Sequence, residues 1–377
     1  MIIIKTLGII AEFNPLHNGH LHFIKTALES SNASACVVVL SSNFTQRGSP
    51  ALADKFYRAQ MAMNAGADLV FELPFIFSCA AGQDFSAGGV DILGLTGIAD
   101  SIAFGMENPN FDVDKIADLL TYENDEYKNY LQDRLKTGAS FSKASALALD
   151  HVVSGAGEFI KQPNNLLAVS YLLQIKRRYY DLKIYPIKRT GEINSSSIRH
   201  DLYNNSHMMP DFTMDILNNA EYDQKLCADY KNAIWKILQA VLNRAEPEEL
   251  KNIHGIDEGI ENLFLKKIFE SSDFDSFLNS CVSMRYTRAH LRRRIIYILT
   301  GLRRWKNLTP DYARVLAFNT KGRRLLKDAQ SKIRIITKPS DLPENFIMQC
   351  EMRASRLYNL LLPESDFKRE LQPVLQF

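Results

Sequence analysis

Gly8-Ile9-Ile10-Ala11-Glu12-Phe13-Asn14-Pro15-Leu16-His17-Asn18-Gly19-His20-Leu21 carries an apolar strand into a turn bearing His-x-Gly-His, and a helix follows at once. This sets two imidazoles and a row of free backbone N–H groups at a helix N-terminus, where the helix dipole favours an anion. Gly19 keeps the backbone low enough for phosphate oxygens to approach, and Pro15 stiffens the turn ahead of the helix. An imidazole, neutral or protonated, donates to such oxygens. The chemistry that fits is nucleotidyl transfer, in which a protein mainly positions reactants and stabilises charge building on the α- and leaving phosphates. A lone His-x-Gly-His arises easily by chance. Between a strand and a helix, within the first 21 residues, it predicts a nucleotide site with His17 and His20 as its catalytic pair.

Outward from this stretch, short apolar segments alternate with helical patterns. Thr6–Phe13, Ala35–Ser42, Asp68–Leu73, Asp100–Phe104 and Leu182–Arg189 read as buried strands rich in Val, Ile or Phe. His20–Ser30, Lys55–Ala65, Asp112–Leu120, Tyr127–Lys136, Ser142–Asp150 and Asn165–Arg178 read as helices between them. The alternation predicts an α/β fold with a doubly wound, Rossmann-like parallel sheet. Ligands of such sheets bind beyond the carboxyl ends of the strands, where the opening motif sits. After Asp201 the strand signal fades. Met214–Leu242, Glu248–Ile253, Glu258–Phe269, Asp275–Val282 and Tyr286–Leu302 read as helices, with short strands at Arg314–Asn319 and Lys332–Thr337 around a Lys321–Gln330 helix. A nucleotide-binding domain over 1–205 and a mainly helical domain over 206–377 are expected, as is usual for a chain of this length.

A hydrophobic content of 46% with 23% charged residues is ordinary for a globular protein. No run approaches the ~20 apolar residues of a membrane helix, so no membrane partner is expected. Met1-Ile2-Ile3-Ile4-Lys5 reads as the start of the first strand, lacking the basic leader of a signal peptide. Five scattered cysteines without a C-x-x-C pair suit a reducing cytoplasm and predict no structural metal site. The net charge of +2 hides an asymmetry: residues 284–338 hold 16 Lys/Arg against 2 Asp/Glu, a local +14 that leaves −12 for the remainder. Such a region suits a polyanion, although a solvated basic surface has the same composition.

A second element follows the strand that ends near Arg189: Asn194-Ser195-Ser196-Ser197-Ile198-Arg199. Its hydroxyls cap a helix and donate to phosphate, and the forked donors of Arg199 suit β/γ oxygens. Read alone, it is equally an ordinary serine cap with a surface arginine. Paired with His17-x-Gly19-His20, it resembles the twin signatures of the nucleotidyltransferase superfamily. The resemblance narrows with Asn14–His20, Asn43-Phe44-Thr45-Gln46-Arg47-Gly48, Ala67–Pro74, Phe104-Gly105, Pro163-Asn164-Asn165-Leu166-Leu167, Arg285-Tyr286-Thr287-Arg288 and Val315–Asn319. Together, and in this order along the whole chain, they look like the bacterial tRNA(Met) cytidine acetate ligase family. That family carries a longer stretch, with a Tyr-His-Asp element, between the strand-end arginine and the serine motif; here only five residues intervene.

The resemblance implies a ligase that joins acetate to the α-phosphate of ATP. It then passes the acetyl group to N4 of the wobble cytidine of elongator tRNA(Met). It implies an ATP site made of Gly8, Ile9, Ile10, Ala11, Glu12, Phe13, Asn14, Pro15, Leu16, His17, Asn18, Gly19, His20 and Leu21 together with Gly105, Asn164, Arg189, Ser196, Ser197 and Arg199. ATP enters as a substrate, with Mg²⁺ as its usual companion and no redox cofactor. Asn43, Gln46 and Arg47 are expected on the same rim, binding acetate, cytidine or phosphate. Asp54, Lys55, Arg58, Asp68, Glu72, Gln83 and Asp84 have structural roles at least as natural as catalytic ones.

The basic half reads as the RNA surface, with Arg285, Arg288, Arg292, Arg293, Arg294, Arg303 and Arg304 as its phosphate contacts. Such contacts give affinity and salt dependence with little sequence information. Tyr286 or Trp305 could stack on an unpaired base, with core packing the simpler alternative. Two other functions fit part of the pattern: a small-molecule adenylyltransferase of cofactor synthesis, and a non-catalytic RNA-binding protein on the same fold. The +14 region disfavours the first. Intact His17, Gly19, His20 and Arg199 disfavour the second.

Overall fold

The computed structural model describes residues 4–189, 193, 195–219, 229–283, 285–306 and 308–377, without the Ser142 side chain. The first three residues of the opening strand, Thr190–Glu192, Asn194, the middle of the expected Met214–Leu242 helix, Cys227 and Met284 lie outside the described residues.

In chain order the first half runs β1 (Thr6–Ala11), α1 (Asn18–Ser31), β2 (Ala35–Ser41), α2 (Lys55–Asn64), β3 (Leu69–Leu73), α3 (Phe75–Ser78), α4 (Gly82–Thr96) and β4 (Ser101–Met106). It continues through α5 (Val113–Tyr122), α6 (Asp125–Lys136), α7 (Phe141–Val152), α8 (Ala156–Phe159), α9 (Pro163–Arg178), β5 (Lys183–Lys188) and α10 (Ser195–His200). The second half gives α11 (Asp211–Asn219), α12 (Tyr230–Arg244), α13 (Pro247–Lys251), α14 (Ile260–Glu270), α15 (Phe274–Cys281) and α16 (Arg288–Thr300). It ends with β6 (Tyr312–Phe318), α17 (Thr320–Asp328), β7 (Arg334–Ile336), α18 (Phe346–Asn359) and β8 (Leu375–Gln376).

The strands form one sheet in the order β5-β4-β1-β2-β3-β6-β7, with β8 beside β6. β1 lies between β2 (Thr6 opposite Ala35) and β4 (Leu7 opposite Ser101), parallel to both. Every residue of β2 is buried, as expected for a parallel strand covered on both faces. The expected α/β sheet is present, and the C-terminal half enlarges it. β6 runs antiparallel to β3, with Leu69 opposite Phe318, so the sheet is mixed and crosses the boundary drawn at 205/206. The single helix expected over Met214–Leu242 is replaced, among the described residues, by α11 and α12, which end and begin on either side of 220–228.

α4 is absent from the sequence reading because four glycines lower its helix propensity. Packing explains them. A Cβ on Gly89 would stand 2.6 Å from Ile10 Cδ1, and one on Gly88 2.5 Å from Phe77 Cγ. The helix thus lies directly on β1, closer than side chains allow.

A buried ion cluster ties the two halves together. Lys55 Nζ pairs with Glu72 and reaches Glu351 Oε1 and Glu370 Oε1, each at 2.8 Å. Arg314 Nη1 bonds Glu370 Oε2 at 2.6 Å and lies 3.5 Å from Glu72 Oε2. Two cations face three carboxylates. Burial, followed by repulsion from Glu351, pushes Glu72 up to about 7, whereas Lys55 and Arg314 outweigh burial at Glu370 and hold it down to about 2.

Candidate active site

A cleft of about 510 Å³ opens beyond the carboxyl ends of β1, β2, β4 and β5, lined by His17, His20, Gly105, Asn164, Arg189, Ser196 and Arg199 among others. Sheet topology accounts for the convergence. The motif leaves β1, Gln46 and Arg47 follow β2, Gly105 ends β4, Arg189 ends β5, and Ser195 opens α10.

His17 caps α1 with extended backbone, and its carbonyl accepts from His20 N–H at 2.8 Å. His17 N–H donates to His20 Nδ1 at 3.3 Å, which assigns the His20 proton to Nε2. The two rings stack with centroids 3.6 Å apart, and Phe13, at a left-handed φ of 44°, closes edge-on against His20 at 5.1 Å. Burial, then the charges of Arg189 and Arg199, bring His17 down to about 4; burial, then His17 and Arg189, hold His20 well below its ordinary value. Both rings are therefore neutral at pH 7. The pair offers single N–H donors in a region that Arg189 and Arg199 make positive.

His17 Nε2 and Ser195 Oγ hydrogen-bond at 3.1 Å, which joins the two sequence motifs. Arg199 Nη1 donates to Asn14 O at 2.6 Å and Nη2 to Ser196 Oγ at 3.1 Å. Asn14 Oδ1 in turn accepts from Leu52 N–H at 2.8 Å. On the β4/β5 side, Arg189 Nη1 donates to Asn164 Oδ1 at 3.4 Å, and Asn164 Nδ2 to Glu107 Oε1 at 2.5 Å. Glu107 Oε2 also caps α9 by accepting from Asn165 N–H at 3.1 Å. A Cβ on Gly105 would stand 3.1 Å from Arg189 Cγ, so glycine leaves the floor open there.

Several expected ATP contacts support the cleft from beneath. A Gly8 Cβ would stand 2.6 Å from Leu93 Cδ1, so Gly8 admits α4 instead of a nucleotide. Leu16 is buried, and Asn18 Nδ2 donates to His207 O at 3.2 Å. Pro15, Leu21 and Ser197 also stand outside the lining, while Glu12, Phe13 and Asn14 belong to it. Of the weaker candidates, Lys55 and Glu72 belong to the ion cluster, Asp54 caps α2, and Asp68 accepts from Cys36 N–H at 2.9 Å. Glu107 escaped sequence reasoning; its one signal was an acid two residues past the strand-end glycine.

The basic segment is divided. Arg285 and Arg303 are exposed, as is Arg288, which bonds Asn279 and lies 3.4 Å from Asp275. Arg292 is half-buried. Three others spend a donor internally, although Arg304 is itself exposed: Arg293 Nη1 on Gln46 O at 2.9 Å, Arg294 Nε on Gly255 O at 2.7 Å, and Arg304 Nη2 on Ile256 O at 2.5 Å. Tyr286 is buried with its hydroxyl donating to Glu258 O, and Trp305 stacks on His254 with centroids 3.6 Å apart. The start of α16 rests on the 45–50 loop. Gly48 has φ +70°, and a Cβ there would stand 2.4 Å from Arg293 N. The basic half thus abuts the cleft.

The family model described as HIGH Nucleotidyl Transferase matches residues 4–372. The tRNA(Met) cytidine acetate ligase of Thermoanaerobacter sp. (strain X514) is 33% identical over 387 residues, covering 95% of this chain and 96% of that protein. The enzyme of the same name from Caldicellulosiruptor saccharolyticus is 35% identical, covering 96% and 95%. Thermotoga maritima TmcAL bound with alpha-thio ATP superposes with a TM-score of 0.87 at 25% identity, over 99% of this chain and 100% of that one. Its apo form gives a TM-score of 0.91 at 24% identity, a likeness of fold. With two motifs joined in one cleft and similarity along nearly the full length, the chain belongs to the tRNA(Met) cytidine acetate ligase family of HIGH nucleotidyl transferases.

Proposed function

We propose that this chain is an ATP-dependent acetate ligase acting on elongator tRNA(Met). An acetate oxygen attacks the α-phosphate, the bond to the β-phosphate breaks, and pyrophosphate leaves with the electron pair. Cytidine N4 then attacks the acetyl carbon of the acetyl-adenylate. The C–N bond forms, the C–O bond to AMP breaks, and the N4 proton is released as N4-acetylcytidine forms. The observation that supports this reading is the 3.1 Å bond between His17 and Ser195, which joins the two signature motifs within one cleft. His17 and His20 donate to the α- and leaving phosphates, while Ser196 and Arg199 take the β/γ oxygens. Gly105 and Asn164 hold the nucleoside end, and Arg189 adds its charge to the phosphate region beside the two histidines.

Mg²⁺ is assigned to the ATP phosphates: among the described residues no three His, Cys, Asp or Glu side chains converge on a metal-sized site, and this ion commonly binds through substrate phosphates. Residues 1–205 handle ATP, and 206–377 supply the tRNA surface through Arg285, Arg288, Arg292 and Arg303. Among the described residues no helix is long and apolar enough to cross a membrane; the proposed compartment is the cytoplasm, where the tRNA substrate resides. The test is incubation with α-labelled ATP and acetate, with and without bulk tRNA. Acetate-dependent AMP release stimulated by tRNA is expected. Dinucleotide formation with nicotinamide mononucleotide, or tRNA binding without turnover, would replace this reading with an adenylyltransferase or an RNA-binding scaffold.

A further inference from the structure

The cleft has a corner that the ATP contacts leave unused. It lies where β2 ends, across the motif strand from Gly105 and Arg189 at the ends of β4 and β5, and α9 reaches it through Leu167, one turn beyond Asn164. Gln46 lines it, and among the described residues Gln46 Nε2 is buried with no hydrogen-bond partner. An unpartnered buried donor costs about 1–3 kcal/mol, a cost that a bound acceptor removes. The peptide of Gln46 is held from both sides: its N–H donates to Glu12 Oε1 at 2.8 Å, and its carbonyl accepts from Arg293 Nη1 at 2.9 Å. The side chain therefore projects from a fixed backbone. A Cβ built on Gly82 would stand 3.6 Å from Gln46 Nε2 and 3.4 Å from Leu167 Cδ2, so amide and methyl wall are no more than about 7 Å apart. A ligand hydrogen-bonded to the amide meets Leu167 within one or two carbon atoms. Phe85 and Tyr171 extend the apolar lining.

We propose that this corner is the acyl subsite: the Gln46 amide donates to an oxygen of the short carboxylic acid, and Leu167 limits the length of its chain. The proposal deepens the ligase reading and rests on it. The Gln46 donor holds the carboxylate for attack on the α-phosphate. When cytidine N4 attacks the acetyl carbon, the same donor faces the carbonyl oxygen as negative charge builds there, as an oxyanion donor does. Burial raises the proton affinity of the neighbouring Glu12 carboxyl against the Gln46 N–H that opposes it, which weakens its repulsion of the incoming acid.

The test uses the full chain and two variants, Gln46→Leu and Leu167→Ala. Acetate-dependent pyrophosphate release without tRNA gives KM for acetate and for ATP. For Gln46→Leu the expected result is a rise of about 10- to 100-fold in acetate KM, the loss of one hydrogen bond to a charged group, with ATP KM within twofold. For Leu167→Ala, kcat/KM for propionate relative to acetate should rise about tenfold, the scale of one methylene. Saturation transfer from the protein to the acetate methyl, recorded by NMR with a non-hydrolysable ATP analogue, should be seen in the parent and lost in Gln46→Leu. Unchanged acetate KM in Gln46→Leu overturns the proposal, as does normal pyrophosphate release with impaired acetyl transfer to tRNA, which would make this corner a cytosine site. A parent chain that shows acetate saturation transfer but no pyrophosphate release would sink the ligase reading and keep the subsite; one with neither sinks both.

Discussion

His17 and Ser195, separated by 178 positions in sequence, share a hydrogen bond of 3.1 Å. Replacing either removes a donor from the phosphate region, but only His17 also stacks on His20. His17→Ala and His20→Ala are each expected to lower kcat for acetyl-adenylate formation by about 100- to 1000-fold, the usual loss for one preorganised donor. Ser195→Ala should cost about tenfold. Pyrophosphate release under saturating ATP and acetate measures all three.

In the ligand-free protein burial holds both imidazoles uncharged at pH 7. The His17 midpoint in the ligand-free protein should lie near 4, read by NMR of the labelled ring. This group is a base whose folded value is lowered, so the unfolded chain binds the extra proton between pH 6.5 and 4. Its share of stability is complete above pH 6.5 and is lost as pH falls through that window. The loss amounts to at most about 3 kcal/mol from two to three pKa units. Urea midpoints of the parent and His17→Asn should therefore converge as pH drops from 7 to 4.

Glu72, within the ion cluster, gives the opposite sign. Glu72 has its folded value raised to about 7, so its contribution is full below pH 4.5 and lost as pH rises through 7. Glu72→Gln should remove that slope from the urea stability profile at modest cost. Lys55→Met leaves three carboxylates facing one arginine and should destabilise by about 3–5 kcal/mol, measured by the same denaturation.

Charge reversal at exposed Arg285 and Arg303 should weaken tRNA binding about tenfold and flatten its salt dependence, while acetyl-adenylate formation stays within twofold. Arg294→Ala should instead lower thermal stability, because its guanidinium holds Gly255 O and covers Tyr297. Filter binding at two salt concentrations, together with thermal melts, separates the two classes.

Local pattern made the first half of the fold legible. The five parallel strands and the helices on either side of them have periodicities that packing reinforces. α4 was invisible because its glycines signal a break, and three of them are explained only by close contacts with Phe77, Ile10 and Tyr180. The union of β3 with β6 was invisible for a different reason: pairing of Leu69 with Phe318 leaves no mark in either segment. At the site, the residues proposed to touch phosphate were readable, since their chemistry is rare at a helix start. Glu107, which organises Asn164, was not, because an acid past a strand is commonplace. Within the arginine cluster, composition could not separate Arg293, bound to Gln46 O, from exposed Arg285.

The β3–β6 pairing also bears on how the chain is made. While a ribosome delivers it from the N-terminus, β3 waits with one edge unpaired until residues up to Phe318 emerge, 249 positions after Leu69. An open strand edge invites pairing with other chains, and contacts of such long sequence separation form slowly. Nascent copies that stall before β6 therefore present a sticky, unfinished sheet to the quality-control machinery. A fragment cut near residue 205 would keep the β3 edge open, so the first half depends on the second to finish its sheet.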